Sequence, residues 1–113
     1  MRSYVVLANW TDQGVKNIRE TLKRAKAFRA LIENRGGKLR EHLYTLGEYD
    51  IVMVTEFPDD ETAAAAVMAL AALGNVRVKT MRAFTDEETA GIIPQLGLSD
   101  TPGRLEAWRP IPW

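Results

Sequence analysis

Apolar side chains recur along this chain in two rhythms, and each switch between them marks the edge of a predicted element. Residues 4–10 are rich in β-branched and aromatic side chains and run into Thr11, Asp12 and Gly14, the composition of a strand ending at a turn. From there Val15, Ile18, Leu22, Ala25, Phe28 and Ile32 follow at three- and four-residue steps. Lys16, Arg19, Lys23 and Lys26 fall on the opposite arc, so the stretch predicts an amphipathic helix. Arg35, Gly36 and Gly37 close it, since glycine takes the left-handed conformation that ends a helix without steric cost. Residues 38–46 alternate, with Leu39, Glu41, Leu43 and Thr45 on one side and Arg40, His42, Tyr44 and Leu46 on the other. After the turn residues 47–50, residues 51–57 are again β-branched, and the two runs read as a hairpin. Pro58, Asp59, Asp60 and Glu61 then supply acidic groups to the unpaired backbone donors of a second helix, which Gly74 and Asn75 stop. A last strand covers residues 76–84. Thr85 and Glu88 form a capping box for a short third helix that ends near Pro94.

Strand, helix, strand, strand, helix, strand predicts an α+β fold: a βαββαβ two-layer sandwich, four antiparallel strands with both helices on one face. The domain is expected over residues 1–94, with residues 95–113 as an extended tail. Two features call for an oligomer. The sheet face away from the helices is uncovered in a two-layer domain. The second helix carries no charge over residues 62–76, and a helix apolar all round is normally buried all round.

Three blocks of the sequence, YVVLANWTDQG from Tyr4, TLGEYDIV from Thr45 and LGNVRVKTMRAF from Leu73, stand in an order and spacing that resembles the GYD-domain family. The likeness spans residues 3–93, and the Gly, Tyr and Asp of the family name fall on Gly47, Tyr49 and Asp50. The resemblance implies a small bacterial or archaeal protein with a ferredoxin-like fold of the dimeric α/β-barrel kind. It implies no reaction, because the family's function is uncharacterised.

Composition narrows the function by exclusion. Fifteen basic and fifteen acidic residues cancel over 113 residues, so no overall field draws the chain to nucleic acid or to an anionic membrane. The seven basic residues of the first helix, set against Glu20 and Glu33, read as a solvated face. No cysteine and a single histidine leave no cysteine metal site and no thiolate nucleophile, and no metal or cofactor is expected. Glycines 36, 37 and 74 are isolated helix stops, with no phosphate-binding or dinucleotide fingerprint around them. The apolar run at residues 63–73 is about half of the roughly 20 residues a membrane span needs, and residues 1–7 lack the pattern of a secretory signal, so a cytoplasmic location is expected.

Candidate chemistry gathers in two places. His42 is the one side chain that titrates near neutrality without perturbation, and unbroken alternation places it on the open sheet face with Tyr44. Tyr4 and Trp10, or Glu56, would complete a site there. Tyr49 and Asp50 either line a pocket at the hairpin mouth or serve the turn itself. The second place is the tail, which together with Pro94 at its border holds four of the five prolines and two of the three tryptophans. Its apolar anchors Leu96, Leu98, Leu105, Trp108 and Trp113 are expected to dock on a neighbouring subunit, on the second helix or on a protein partner. Two functions follow as expectations. The first is an oligomeric, non-catalytic module that binds a small ligand or a protein partner through the sheet face or the tail. The second is a small cofactor-free enzyme with His42 as acid or base in an apolar pocket.

Overall fold

A computed structural model describes residues 1–98. It divides into a unit covering Met1–Ala83 and a second that begins at Phe84. The first unit holds β1 (Arg2–Trp10), α1 (Asp12–Lys16), a 3-10 turn (Ile18–Glu20), α2 (Thr21–Asn34), β2 (Lys38–Tyr44), β3 (Ile51–Phe57), α3 (Asp60–Ala72) and β4 (Val76–Ala83). The strands form one antiparallel sheet of order β2-β3-β1-β4, with β1 and β3 at its centre. This is the ferredoxin-like α+β arrangement, and the helices lie on one side of the sheet.

Period-two alternation in the central strands decides what the core contains. Tyr4, Val6 and Ala8 of β1 stand beside Thr55, Met53 and Ile51 of β3, all of them buried on the helix side. Phe28 and Ile32 of α2 and Ala63 and Ala66 of α3 close on them, and Phe57 and Leu39 complete the cluster. Thr55 hydrogen-bonds within the core by donating its hydroxyl to the Tyr4 carbonyl at 3.4 Å. The opposite face carries Val5 and Leu7 beside Val54 and Val52.

Strand β2 departs from simple alternation. Leu39 pairs with Thr55 and Glu41 with Val54, so Arg40 is an extra residue with no partner across the ladder. Such a bulge reverses the sidedness of everything beyond it. Leu39, His42 and Tyr44 therefore all face the helices, while Glu41 and Leu43 face the other way, Leu43 being 54% exposed. This corrects the expectation that His42 and Tyr44 lie on the open face. Tyr4 and Trp10, expected there too, also stand on the helix side, in phase with Val6 and Ala8.

The first helix is likewise not continuous. Thr11 caps α1 by accepting from the Gly14 N–H at 3.2 Å, and the Thr11 N–H donates to the Asn75 carbonyl at 3.1 Å. Gln13 donates its side-chain amide to the Leu73 carbonyl at 2.9 Å and to Asn75 Oδ1 at 3.0 Å. These bonds moor α1 to the turn between α3 and β4. The chain breaks at Asn17 and restarts as α2 after the 3-10 turn, which leaves Val15, Ile18 and Leu22 exposed although their spacing suits a buried stripe.

Helix α3 starts as its sequence predicts, with Asp59 accepting from the Thr62 N–H at 2.7 Å. Among the described residues only Ala63 and Ala66 are buried along it and Met68 is 69% exposed, so the cover expected for its outer face does not come from the described residues. In the second unit the capping box of α4 (Asp86–Ile92) is complete, Thr85 and Glu88 each accepting from the other's backbone N–H at 3.1 Å. A 3-10 turn over Ile93–Leu96 follows and ends at Gly97, whose φ of 71° is left-handed. Residues 99–113, with Leu105, Trp108 and Trp113, lie outside the described residues.

The contact between α1 and the α3–β4 turn leaves no room for a side chain at Gly14, where a Cβ would stand 2.0 Å from the Asn75 carbonyl oxygen. Gly14→Ala is expected to lower unfolding free energy by about 2 kcal/mol in urea denaturation, as overpacking does. Gly91→Ala, with nothing within 4 Å of the added carbon, is expected to leave stability unchanged or raised.

Candidate functional site

Between the helices and the sheet of the first unit lies a cavity of about 160 Å³. Ala8 and Trp10 of β1, His42 and Tyr44 of β2, and Ile51 and Met53 of β3 form its floor. On the helix side it is lined by Arg24, Phe28 and Leu31 of α2 and Leu70 of α3, with Ala25, Ala27 and Ala69 between them, and alanine does not fill the space that a larger residue would occupy between two helices. Tyr44, 42% exposed, and Leu73, 62% exposed, stand where the cavity meets solvent.

One wall is aromatic. Trp10 and Tyr44 stack with ring centroids 6.2 Å apart and planes inclined by 12°. His42 lies against Tyr44 at 5.0 Å in a tilted arrangement. Burial raises the Tyr44 hydroxyl above its ordinary pKa, a shift opposed by the nearby charge of Arg24. Burial also lowers His42 below its ordinary value, and the Arg29 guanidinium adds to that. The imidazole is therefore neutral at pH 7. Among the described residues no carboxylate or hydroxyl hydrogen-bonds to it. A general acid or base needs a positioned partner or a proton path, and the geometry around His42 supplies an apolar surface with a weakly basic ring instead.

The Gly-Tyr-Asp turn acts on this wall from outside. The Asp50 carboxylate accepts from the Trp10 N–H at 3.0 Å, and the Asp50 N–H donates to the Ala8 carbonyl at 3.0 Å and to Asn9 Oδ1 at 3.1 Å. Asp50 thus prolongs the β1–β3 ladder past its last strand pair and anchors the backbone that carries the Trp10 ring. Thr45 closes the same turn by donating its hydroxyl to the Tyr49 carbonyl at 2.6 Å, and Gly47 supplies the positive φ of 120°. The Tyr49 ring faces Lys79, whose ammonium lies 5.7 Å from the ring centroid. Neither Tyr49 nor Asp50 lines the cavity. Tyr4 does not line it either. Its ring packs edge-on against Phe57 and its hydroxyl donates to the Asp60 carboxylate at the start of α3. Burial and that carboxylate push the Tyr4 hydroxyl up to about 12.

Of the residues singled out from sequence, the fold therefore brings together Trp10, His42 and Tyr44. Glu56 is on the opposite face, paired with Arg40 at 2.9 Å. Sequence reading missed Arg24, Thr21 and Asn75 at the cavity: Arg24 is one of the basic residues read as a solvated face, Asn75 reads as a helix stop, and nothing in the local pattern singles out Thr21. Among the described residues no cluster of His, Asp and Glu is arranged to hold a metal ion, and no helix is long and apolar enough to cross a membrane.

A ferredoxin-like sheet with helices on one face, a Gly-Tyr-Asp turn tied to the end of β1 and an interlayer cavity together define the class of small α+β domain seen here. The chain belongs to the GYD-domain family, whose domain matches residues 4–93. It is also 32% identical over 85 residues to a Thermus thermophilus protein named glutamine synthetase and cystathionine beta-lyase binding protein, a match covering 74% of this chain and 90% of that relative.

His42 gives the site a measurable signature. Its folded pKa lies below the unfolded value near 6.5, so its contribution to stability is present above pH 6.5 and is lost as pH falls through the folded pKa. An NMR titration of the ring is expected to show a midpoint below 6.5, and His42→Gln is expected to flatten the fall in stability as pH drops below about 6.5.

Proposed function

We propose that this chain is a non-catalytic binding module that self-associates through its sheet face and takes a protein partner. The observation that carries the reading is the character of that face. Val5, Leu7, Val52 and Val54 stand side by side at its centre, Leu43 and Met81 extend the apolar area, and Glu41, Arg77 and Lys79 border it. An apolar centre with a charged rim is the composition of a protein–protein surface. A second copy placed on it buries the same patch on both subunits, as a two-fold interface requires.

The relative named for binding glutamine synthetase and cystathionine beta-lyase supports a protein partner, and an enzyme of that kind is the partner we expect. With the sheet faces closed on each other, the tail at residues 95–113 is the element assigned to docking, through Leu96, Leu98, Leu105, Trp108 and Trp113. Leu96 and Leu98 are 58% and 50% exposed, as docking anchors should be before a partner arrives. The alternative with His42 as acid or base draws no support from a ring that lacks a hydrogen-bonded partner among the described residues.

Sedimentation equilibrium at micromolar concentration is expected to show a dimer or larger assembly, and Val54→Glu, which places a charge at the centre of the apolar patch, to yield a folded monomer. A wild-type monomer would overturn the self-association. Mixing the full chain with purified glutamine synthetase or cystathionine beta-lyase is expected to give a complex that is lost when the chain ends at Gln95. A truncated chain that binds as well as the full one would remove the tail from the interface.

A further inference from the structure

We propose that the interlayer cavity is a binding site for a small aromatic carboxylate, held by its ring against Trp10 and Tyr44 and by its carboxylate on Arg24. Size comes first. An apolar cavity of about 150 Å³ accommodates a benzene-sized molecule, and this one measures about 160 Å³ with a lining that includes Phe28, Leu31, Met53 and Val76. Shape comes second. The Trp10 and Tyr44 rings are stacked and nearly parallel, and a flat apolar ring continues such a stack where a branched body does not.

Charge completes the assignment. Arg24 lines the cavity half-buried, and among the described residues no carboxylate forms an ion pair with it. Its guanidinium is held in place by donating to the Asn17 carbonyl at 2.9 Å and to the Thr21 hydroxyl at 3.4 Å. Two of its five N–H groups are engaged in this way, and the remainder are available to a ligand. A half-buried guanidinium without a counter-ion favours an anion, and its planar donors match a carboxylate. Arg29, close enough to bias His42, adds positive charge on the same side. A ligand with one ring and one negative group satisfies wall, volume and charge together. The cavity lies on the helix side of the sheet, so the ligand site and the partner surface fail or stand separately.

The test is titration of the full-length protein, followed by two-dimensional NMR, with benzoate and phenylacetate, against benzyl alcohol as a neutral ring and acetate as an anion without a ring. The two aromatic acids are expected to shift the amides of Ala25, Leu31, His42 and Val76 and to bind about tenfold more tightly than either control, the scale of one charge-assisted contact. Arg24→Gln is expected to erase that advantage while leaving benzyl alcohol affinity unchanged. Ala69→Phe, which fills the roof, is expected to abolish binding of all ring compounds. Arg24→Gln alone decides the matter if the filled variant does not fold. Benzyl alcohol binding as tightly as the acids, acids unaffected by Arg24→Gln, or no shift with any compound would overturn the assignment.

Discussion

The architecture of the site depends on one unpaired residue. Arg40 is inserted into β2 without a partner in β3, and the strand beyond it turns over by one position. Leu39 before the insertion and His42 and Tyr44 after it thereby share the helix side, three residues apart where unbroken alternation would oppose them. Arg40 does not waste its side chain at the bulge, because it reaches Glu56 at 2.9 Å on the far face and binds the irregular segment to β3. Without the insertion, Leu43 would enter the space below α2, and His42 and Tyr44 would stand outside. The aromatic wall and the cavity exist because of that reversal.

A second constraint keeps the wall in register. The Asp50 carboxylate substitutes for a strand partner opposite the Trp10 N–H, where β3 has already ended. A backbone donor at the end of a central strand would otherwise need water or another group. The aspartate of the Gly-Tyr-Asp turn thus has a structural role with a functional consequence, since it fixes the strand end from which the Trp10 ring projects onto Tyr44. On the opposite side, the bonds from Thr11 and Gln13 to residues 73–75 hold the α3–β4 turn at the mouth of the cavity.

Elements were far more legible in the sequence than sidedness. All four strands, the Asp59 start of α3, the Thr85–Glu88 box and the glycine stops at Gly36 and Gly74, with φ of 80° and 81°, follow from local composition because local chemistry causes them. The bulge at Arg40 leaves no such mark, since Leu39, Glu41, Leu43 alternates as well with the insertion as without it. The break at Asn17 is hidden for the same kind of reason. Val15, Ile18 and Leu22 keep helical spacing, and what interrupts them is the long-range tie to Asn75, 60 residues or more along the chain. Arg24 escaped notice because a cation on a basic helix looks solvated until the fold sets it beside an apolar cavity. The tail anchors beyond Leu98 lie outside the described residues.

The central claim is that His42 and Tyr44 face the helix layer. A nuclear Overhauser experiment on the selectively methyl-labelled protein tests it most directly. The account predicts cross-peaks from the His42 and Tyr44 rings to Leu31, Met53 and Leu70, which line the same cavity. Cross-peaks from those rings to Val52 and Val54 in place of the helix-side methyls would put both residues on the opposite face and contradict it.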